Sequence, residues 1–333
     1  MEKFIIKISN ITDIVKSRHS YLSFPDVIMY QNNYFLVYRA ANKHLPSRSV
    51  LNVLMSVDAI TWKYIKKFPA NLNNYGYVWN CPRFYNDGNL KIICDIKDKI
   101  DERKCKFDIE IINLFNSNKN RLNIFGMVPD KIVLFKDKLF LANHMIDKSY
   151  NILTQFVNIS QDNGYTFPER VIVARDTQHD LCEASILNMN DEYLVAYLRD
   201  NKRTISSDGN SVFYPVMQYY ISYNGYEWEK GGCSQLYGHR PTLIQVSKNK
   251  ILTAYRNTVN YGISVAEIEF FEGKEKNINI IQVENEEQEN LYHCGYTGLC
   301  KTDKENQYLL VYYIKNDNKF PIIKSCLIDV EKD

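Results

Sequence analysis

The stretch "FPDVIMYQNNYFLVYRA", residues 24–40, carries the pattern that decides the fold. A short apolar strand follows a proline, a polar turn comes next, and a second, more hydrophobic strand ends at an arginine. Valine, isoleucine, tyrosine and phenylalanine favour β-strands over helices. The unit returns five more times, beginning at "CPRFY" (81–85), "VPDKIVLF" (128–135), "EASIL" (183–187), "RPTLI" (240–244) and "YTGLC" (296–300).

The six units recur at a nearly constant interval. Their second positions are residues 25, 82, 129, 184, 241 and 297, so the spacings are 57, 47, 55, 57 and 56 residues. Repeats of about 50 residues with several strands each are typical of β-propellers. We therefore predict an all-β fold, a six-bladed β-propeller of four-stranded antiparallel blades, as a single domain over residues 1–333. The N-terminal "KFIIKIS" is expected to pair with the last blade and close the ring.

Three polar turns repeat at a second set of places: "SVDAITW" (56–62), "SQDNGYTF" (160–167) and "SYNGYEW" (222–228). In each, a serine precedes an Asp or Asn by two residues, and an aromatic closes the run. They fall where a third strand should turn into a fourth. There the Asp or Asn can accept backbone N–H groups while Gly164 or Gly225 takes a positive φ. The simplest interpretation is a turn that stabilises the blade.

Composition excludes several classes of protein. The 333 residues are 45% hydrophobic, and 41 basic against 39 acidic side chains leave a net charge of +2, without a run of five basic residues. Nucleic acid is therefore not an expected partner. The N-terminal apolar stretch is interrupted by Lys7 and Asn10, so we expect neither a signal peptide nor a membrane span, and a cytoplasmic protein unless a secretion signal was removed.

The eight cysteines include no CxxC pair. We therefore expect no zinc site and no disulfide framework, and most of the thiols should be reduced and buried. No organic cofactor is implied.

Charged and aromatic residues gather where a propeller forms a site. Loops that enter the first strand of each blade, and those that leave the second, meet at one end of the channel. That end should collect Asp26, Arg39, His44, Arg83, His144, His179, Glu183, Arg199, His239, Arg240, Arg256, His293 and Tyr296.

Arginines end second strands in "VYRA", "YLRD" and "AYRN". Guanidinium groups bind carboxylates at two points, so their convergence predicts an anionic ligand. The alternative is a structural salt-bridge network between blades. The predicted substrate-binding residues are Arg39, Arg83, Arg199, Arg240, Arg256, His179 and His239, with Arg39, Arg199, Arg240 and Arg256 as the anion clamp.

The three turns resemble the Asp-box, S-x-D-x-G-x-T-W, of the sialidase superfamily. The turn at 160–167 has Phe167 in place of tryptophan, and the other two are one residue short. The blade starts "FPDVIMYQNNYFLVYRAANKH", "CEASILNMNDEYLVAYLRDN", "GHRPTLIQVSKNKILTAYRN" and "CGYTGLCKTDKENQYLLVYYI" also resemble that group, over roughly residues 20–315.

The resemblance implies a catalytic pair. Tyr296 in "CGYTGL" is similar to the family's nucleophilic tyrosine, and Glu183 in "LCEASIL" to the glutamate that acts as its base. Sialidases use a neutral tyrosine in place of the usual carboxylate nucleophile. A charged nucleophile would be repelled by the carboxylate that the sugar carries at its reacting carbon. Each of the two could also be structural, as an inter-blade tyrosine and a charged strand-edge residue.

The first blade departs from the family. Its F-R-I-P motif is replaced by "SFPDV", so Arg18 or Arg39 would have to replace the missing arginine. The loop "RAANKHLPSRS" lacks the family's acid/base aspartate, which leaves Asp26 and His44 as proton donors.

We therefore predict an exo-glycosidase that releases a terminal anionic sugar. A glycan-binding propeller without turnover, and a glycosidase of different sugar specificity that uses Asp26 and His44, remain alternatives. A propeller scaffold for protein partners would instead predict apolar outer patches.

Overall fold

All regular structure in the described chain is β. The computed structural model describes residues 4–69, 77–99, 105–202, 204–205, 211–212, 216–286, 294–315 and 320–332. The first thirteen strands are β1 (Phe4–Val15), β2 (Tyr21–Tyr30), β3 (Asn33–Ala41), β4 (Ser49–Ser56), β5 (Lys63–Pro69), β6 (Tyr77–Asn86), β7 (Leu90–Lys99), β8 (Cys105–Asn113), β9 (Lys119–Phe125), β10 (Val133–Phe135), β11 (Lys138–Asp147), β12 (Ile152–Ser160) and β13 (Glu169–Ala174). The remaining strands are β14 (Leu181–Met189), β15 (Tyr193–Asp200), β16 (Thr204–Ile205), β17 (Ser211–Val212), β18 (Val216–Ser222), β19 (Glu229–Ser247), β20 (Lys250–Asn257), β21 (Gly262–Phe271), β22 (Lys274–Asn285), β23 (Gly295–Lys301), β24 (Gln307–Ile314) and β25 (Ile322–Lys332).

The strands form a β-propeller arrangement of antiparallel blades. Four sheets have four strands each, in the orders β2-β3-β4-β5, β6-β7-β8-β9, β10-β11-β12-β13 and β1-β25-β24-β23. A fifth sheet has seven strands, β14-β15-β18-β19-β20-β21-β22, and β16 pairs only with β17. Side chains packed between successive sheets form the core, because each sheet presents apolar residues to its neighbours.

The seven-stranded sheet departs from the prediction of six separate four-stranded blades. Strand β19 has 19 residues. Its first half pairs with β18 up to Tyr237, and its second half pairs with β20 from Gly238 onward. The backbone stays extended through Gly238, so one strand serves both halves of the sheet.

The predicted closure by the N-terminal segment is present. Strand β1 pairs with the last strand, β25, from Phe4 opposite Lys332 to Val15 opposite Ile323. This pairing covers an edge that would otherwise expose unpaired backbone groups.

Each of the six predicted units begins with a residue that has left-handed backbone. These residues are Phe24 (φ 55°), Cys81 (40°), Val128 (50°), Glu183 (51°), Arg240 (49°) and Tyr296 (29°). At five of them a β-bulge shifts the register between first and second strand. At Val128 the first strand is reduced to a bridge between Met127 and His144 before β10 begins. A positive φ costs free energy in a residue other than glycine, and bulges of this kind re-aim side chains beside functional sites.

Two aspartates of the repeated "PD" sequence tie neighbouring sheets together. The Asp26 carboxylate accepts the backbone N–H of Phe84 in the next sheet at 2.7 Å, and Asp130 accepts that of Ile186 at 2.9 Å. Arg83 lies between the two, 3.2 Å from Asp26 and 4.0 Å from Asp130. These contacts join successive blades near the channel.

The three serine-containing turns lie between the third and fourth strands of their blades, as predicted. Asp58, Asp162 and Asn224 each accept a hydrogen bond from the preceding serine hydroxyl, at 2.8, 2.7 and 3.3 Å. Each also accepts backbone N–H groups from the turn. The hydrogen bonds from Thr166 hold the pKa of Asp162 down at about 2. These contacts fit a stabilising turn.

Seven cysteines lie among residues with described side chains, and they form no disulfide with one another. Six are buried and Cys233 is exposed. Within the described ranges, no helical segment has the length and apolar character of a membrane span.

Candidate active site

Two rings of side chains follow from the strand register. The first ring consists of the six residues with left-handed backbone named above: Phe24, Cys81, Val128, Glu183, Arg240 and Tyr296. In each unit, the residue that precedes the first-ring residue is paired with a residue on the second strand. These six partners form the second ring: Arg39, Asp95, His144, Arg199, Arg256 and Tyr313. Contacts between the rings join residues that lie far apart in sequence.

Tyr296 and Glu183 form the centre of the site. The Tyr296 hydroxyl donates a short hydrogen bond to Oε1 of Glu183. Arg199 Nη1 donates to the same oxygen at 3.0 Å. Burial raises the pKa of Glu183, but Arg199 and the tyrosine hydrogen bond outweigh it and lower that pKa to about 2. Burial and the Glu183 charge raise the pKa of Tyr296. At neutral pH the pair is therefore a carboxylate with a neutral phenol.

A second set of contacts holds the Glu183 backbone. Its N–H donates to Nδ1 of His144 at 3.3 Å, and the next N–H, of Ala184, donates to Gln155 at 3.1 Å. Burial lowers the pKa of His144 to about 4, so the ring is neutral and Nδ1 is free to accept. These contacts support the strained backbone at Glu183.

Two arginines flank the Tyr296 ring. The guanidinium carbons of Arg256 and Arg240 lie 5.2 and 5.8 Å from its centroid. Arg256 is 5% exposed and donates to the Tyr313 hydroxyl at 3.3 Å. Among the described residues no carboxylate lies within 4.0 Å of it, and its Nε has no hydrogen-bond partner. The structure therefore contains a buried cation beside Tyr296 without a described counter-ion.

Gly295 makes room for this arginine. A Cβ at position 295 would lie 2.4 Å from Nε of Arg256, and the residue has φ 100°. Only glycine meets both conditions without strain.

The other predicted arginines are held by protein groups. Arg39 donates to Ser23, Asn80 and the carbonyl of His44, at 3.0, 2.8 and 2.8 Å. Arg240 donates to the carbonyls of Ala184 and Pro129 at 3.3 and 2.9 Å. Arg83 binds Asp26 and the carbonyl of Thr297. These contacts are of the structural kind, joining blades, that the sequence allows as the alternative to an anion clamp.

Asp26 and His44 occupy very different places. Asp26 is fully buried, and its carboxylate contacts Arg83, Lys131 and the Phe84 N–H. His44 is half-buried, with Nδ1 3.2 Å from the Tyr21 hydroxyl. Its ring lies 6.2 Å from Phe24, which in turn lies 4.8 Å from the Tyr296 ring. His44 is thus connected to the pair through Phe24.

The two histidines predicted to bind substrate also differ. His239 is 2% exposed, and burial together with Arg199 and Arg256 lowers its pKa. His179 is half-buried and lies 2.7 Å from Asp200, and it has no hydrogen bond to Tyr296 or Glu183. His293 lies outside the described residues.

The sequence interpretation missed Asp95. This residue holds the position in the second sheet that Arg39, Arg199 and Arg256 hold in theirs, and "IICD" aligns with "LVYR". An alignment of the six second strands places Asp95 at this position, whereas a pattern of arginines alone omits it. Among the described residues no cluster of three or more His, Cys, Asp or Glu side chains is placed to bind a metal ion.

The fold resembles solved glycosidase structures. No protein-family model matches the chain, and no curated protein matches its sequence. A protein of unknown function from Dyadobacter fermentans is 17% identical with a TM-score of 0.75, over 98% of this chain and 99% of that one.

Two enzyme structures show the same fold. An α-L-arabinofuranosidase of Fusarium graminearum, solved with an iminosugar inhibitor, is 9% identical with a TM-score of 0.70, over 96% and 97% of the two chains. A Trypanosoma rangeli sialidase in complex with the inhibitor DANA is 11% identical with a TM-score of 0.69, over 96% of this chain and 59% of the sialidase.

Proposed function

We propose that the protein is a sialidase-like exo-glycoside hydrolase that releases a terminal anionic sugar. One observation carries the proposal: the Tyr296 hydroxyl donates its hydrogen bond to a buried, charged Glu183 carboxylate. A tyrosine nucleophile needs a base within hydrogen-bond reach. The fold shared with a sialidase and an arabinofuranosidase supports glycoside hydrolysis as the reaction class.

The reaction runs in two displacements. Tyr296 Oη attacks the anomeric carbon while Glu183 takes the phenolic proton, and the bond to the leaving group breaks. Water then displaces the tyrosine from the anomeric carbon, and Glu183 returns the proton to Tyr296. Because two displacements each invert the anomeric carbon, the released sugar retains its configuration.

Arg256 and Arg199 are the anion-binding groups in this proposal. A buried charge without a partner is costly, and the carboxylate of a sugar would supply the counter-ion that Arg256 lacks among the described residues. Arg199 is the most exposed of the arginines near the pair, with 15% of its side chain accessible. Arg240, fixed by carbonyls, stabilises the phenolate that develops on Tyr296.

Substrate binding can activate the base. Arg199 holds the pKa of Glu183 low in the free protein. A sugar carboxylate that accepts hydrogen bonds from Arg199 weakens this interaction, so the Glu183 pKa rises and the carboxylate becomes a stronger base. The base is then strongest when the anionic sugar is bound.

We also propose that the propeller has six blades in one domain. Counting each half of β19 with its own neighbours, β14-β15-β18-β19 and β19-β20-β21-β22, gives six blades in one domain. The six residues of the first ring, one at the first strand of each of these blades, support that count.

A different sugar specificity is the second candidate. The first blade lacks the family's arginine, and its Phe24 packs on Tyr296, where it offers an apolar surface and no charge. A glycan-binding propeller without turnover would use the same site.

The test is a panel of aryl and natural glycosides that includes sialic-acid relatives and arabinosides, assayed with wild type and Tyr296→Phe. We expect wild-type turnover on an anionic sugar and its loss in the variant. Turnover confined to neutral sugars would favour the second candidate. Binding with no turnover on any member would contradict hydrolysis.

A further inference from the structure

A carboxyl group in the second ring has no role in the chemistry described so far. Asp95, in β7, is 1% exposed. Its register places it opposite Asn80, next to the left-handed Cys81 of the first ring. Oδ2 accepts a long hydrogen bond from Asn80 at 3.4 Å, and Oδ1 has no hydrogen-bond partner among the described residues. Buried polar atoms are normally hydrogen-bonded, so an unpaired carboxyl oxygen among site residues indicates that a ligand binds there.

Burial raises the pKa of Asp95, and the polar groups that face it lower that pKa. Burial raises its pKa to about 6, while the Asn80 hydrogen bond, the Val128 backbone and the Arg39 charge act in the opposite direction. The cation that faces Asp95 is Arg39, in β3. Its guanidinium donates hydrogen bonds to Ser23, Asn80 and the carbonyl of His44.

Two thiols also interact electrostatically with Asp95. They belong to Cys81 and Cys94, and burial raises the pKa of both. They are therefore uncharged at neutral pH.

We propose that Asp95 is the acid/base residue of the hydrolysis. This inference rests on the proposed function. Protonated Asp95 donates its proton to the glycosidic oxygen as the carbon–oxygen bond breaks, so the leaving group departs as an alcohol. In the second displacement the Asp95 carboxylate takes a proton from the attacking water, the hydroxyl bonds to the anomeric carbon, and the bond to Tyr296 breaks. The sum is glycoside and water converted to sugar and alcohol.

Asp26, predicted from the sequence, is less suited to this role. Its carboxylate oxygens are already occupied by Arg83, Lys131 and the backbone N–H of Phe84. Asp95 instead has a pKa raised to about 6, so a protonated fraction is present below neutral pH, and its Oδ1 has no hydrogen-bond partner among the described residues. His44 is the remaining competitor, and a leaving-group experiment separates the two.

The experiment measures kcat/KM of wild type, Asp95→Asn and His44→Asn on two glycosides of the sugar that the panel identifies. One has a poor alkyl leaving group and the other a 2,4-dinitrophenyl group, which leaves without protonation. General acid catalysis contributes about 10²- to 10⁴-fold. We expect Asp95→Asn to lose at least ~10² on the alkyl glycoside and less than ~10 on the dinitrophenyl glycoside. The basic limb of the wild-type pH profile near 6 should also disappear.

Glu275→Gln is the matched control. Burial raises the pKa of Glu275 to about 7, but its carboxyl binds Ser234 and it lies on the outer strand β22. This variant should keep the wild-type profile and the wild-type leaving-group dependence.

Three results would overturn the assignment. An equal loss on both glycosides in Asp95→Asn would make Asp95 a substrate-binding residue. A leaving-group-dependent loss in His44→Asn alone would transfer the role to His44. If wild type turns over neither glycoside, the proposed function fails together with this inference, whereas an active wild type that depends on Tyr296 leaves the proposed function intact.

Discussion

The Tyr296 hydroxyl donates its hydrogen bond to Oε1 of Glu183, 113 residues earlier in the chain. Both residues have left-handed backbone at the bulge of their blades. Arg240 has the same conformation at the bulge between β19 and β20. The strained backbone conformations therefore occur at the residues whose side chains meet in the site.

The pair should behave as a unit in kinetics. Tyr296→Phe and Glu183→Gln are each expected to lower kcat by at least ~10³, and the double variant should be little worse than either single variant. The reason is that neither the nucleophile nor its base acts without the other. Steady-state kinetics of the four proteins measure this, and losses that multiply would mean that the residues act independently.

The anion site can be tested through Arg256. Arg256→Gln should weaken binding of an anionic substrate analogue by roughly 2–5 kcal/mol, because the sugar carboxylate loses a buried partner. Gly295→Ala should weaken it too, since the added Cβ would lie 2.4 Å from Nε of Arg256. Isothermal titration checks both, with the half-exposed Arg121→Gln as control. Unchanged affinity in Arg256→Gln would count against an anionic ligand.

Asp26→Asn should affect stability more than turnover. The substitution leaves Arg83 as a buried cation with weakened pairing, and loss of a buried partner costs about 3–5 kcal/mol. Urea denaturation measures the loss, with surface Asp87→Asn as control. If Asp26→Asn instead keeps its stability and loses activity only on poor leaving groups, Asp26 is the proton donor after all.

The pH dependence of stability should contain a contribution from Glu275. Burial raises its pKa from 4.5 to about 7 in the folded protein, so the folded state binds more protons than the unfolded state between these values. Stability therefore falls as pH rises through this window, by up to about 3 kcal/mol from this group.

Glu275→Gln removes that titration. Thermal denaturation at pH 4.5 and pH 8 should show that the stability of the variant relative to wild type increases as pH rises. An identical pH dependence in both proteins would contradict the assignment.

Strand order and closure could be predicted from the sequence because Tyr, Val and Ile alternate with polar turns at a regular spacing. The continuity of β19 could not, since nothing in "GGCSQLYGHR" distinguishes an extended glycine from a turn. Tyr296 and Glu183 followed from short motif matches to a family. The hydrogen bonds that Arg39 donates to Ser23, Asn80 and His44 depend on distances that only the folded chain provides. Asp95 was overlooked because its burial and its unpartnered oxygen have no signature in a single sequence.

The central claim is that Tyr296 becomes covalently bonded to the sugar. An activated fluorosugar of the identified substrate, with a good leaving group, slows the second displacement and should accumulate the intermediate. Peptide mapping by mass spectrometry should then place one glycosyl adduct on Tyr296 in wild type, and none in Tyr296→Phe. An adduct on a carboxylate such as Glu183, or an inverted product formed without any adduct, would contradict the account.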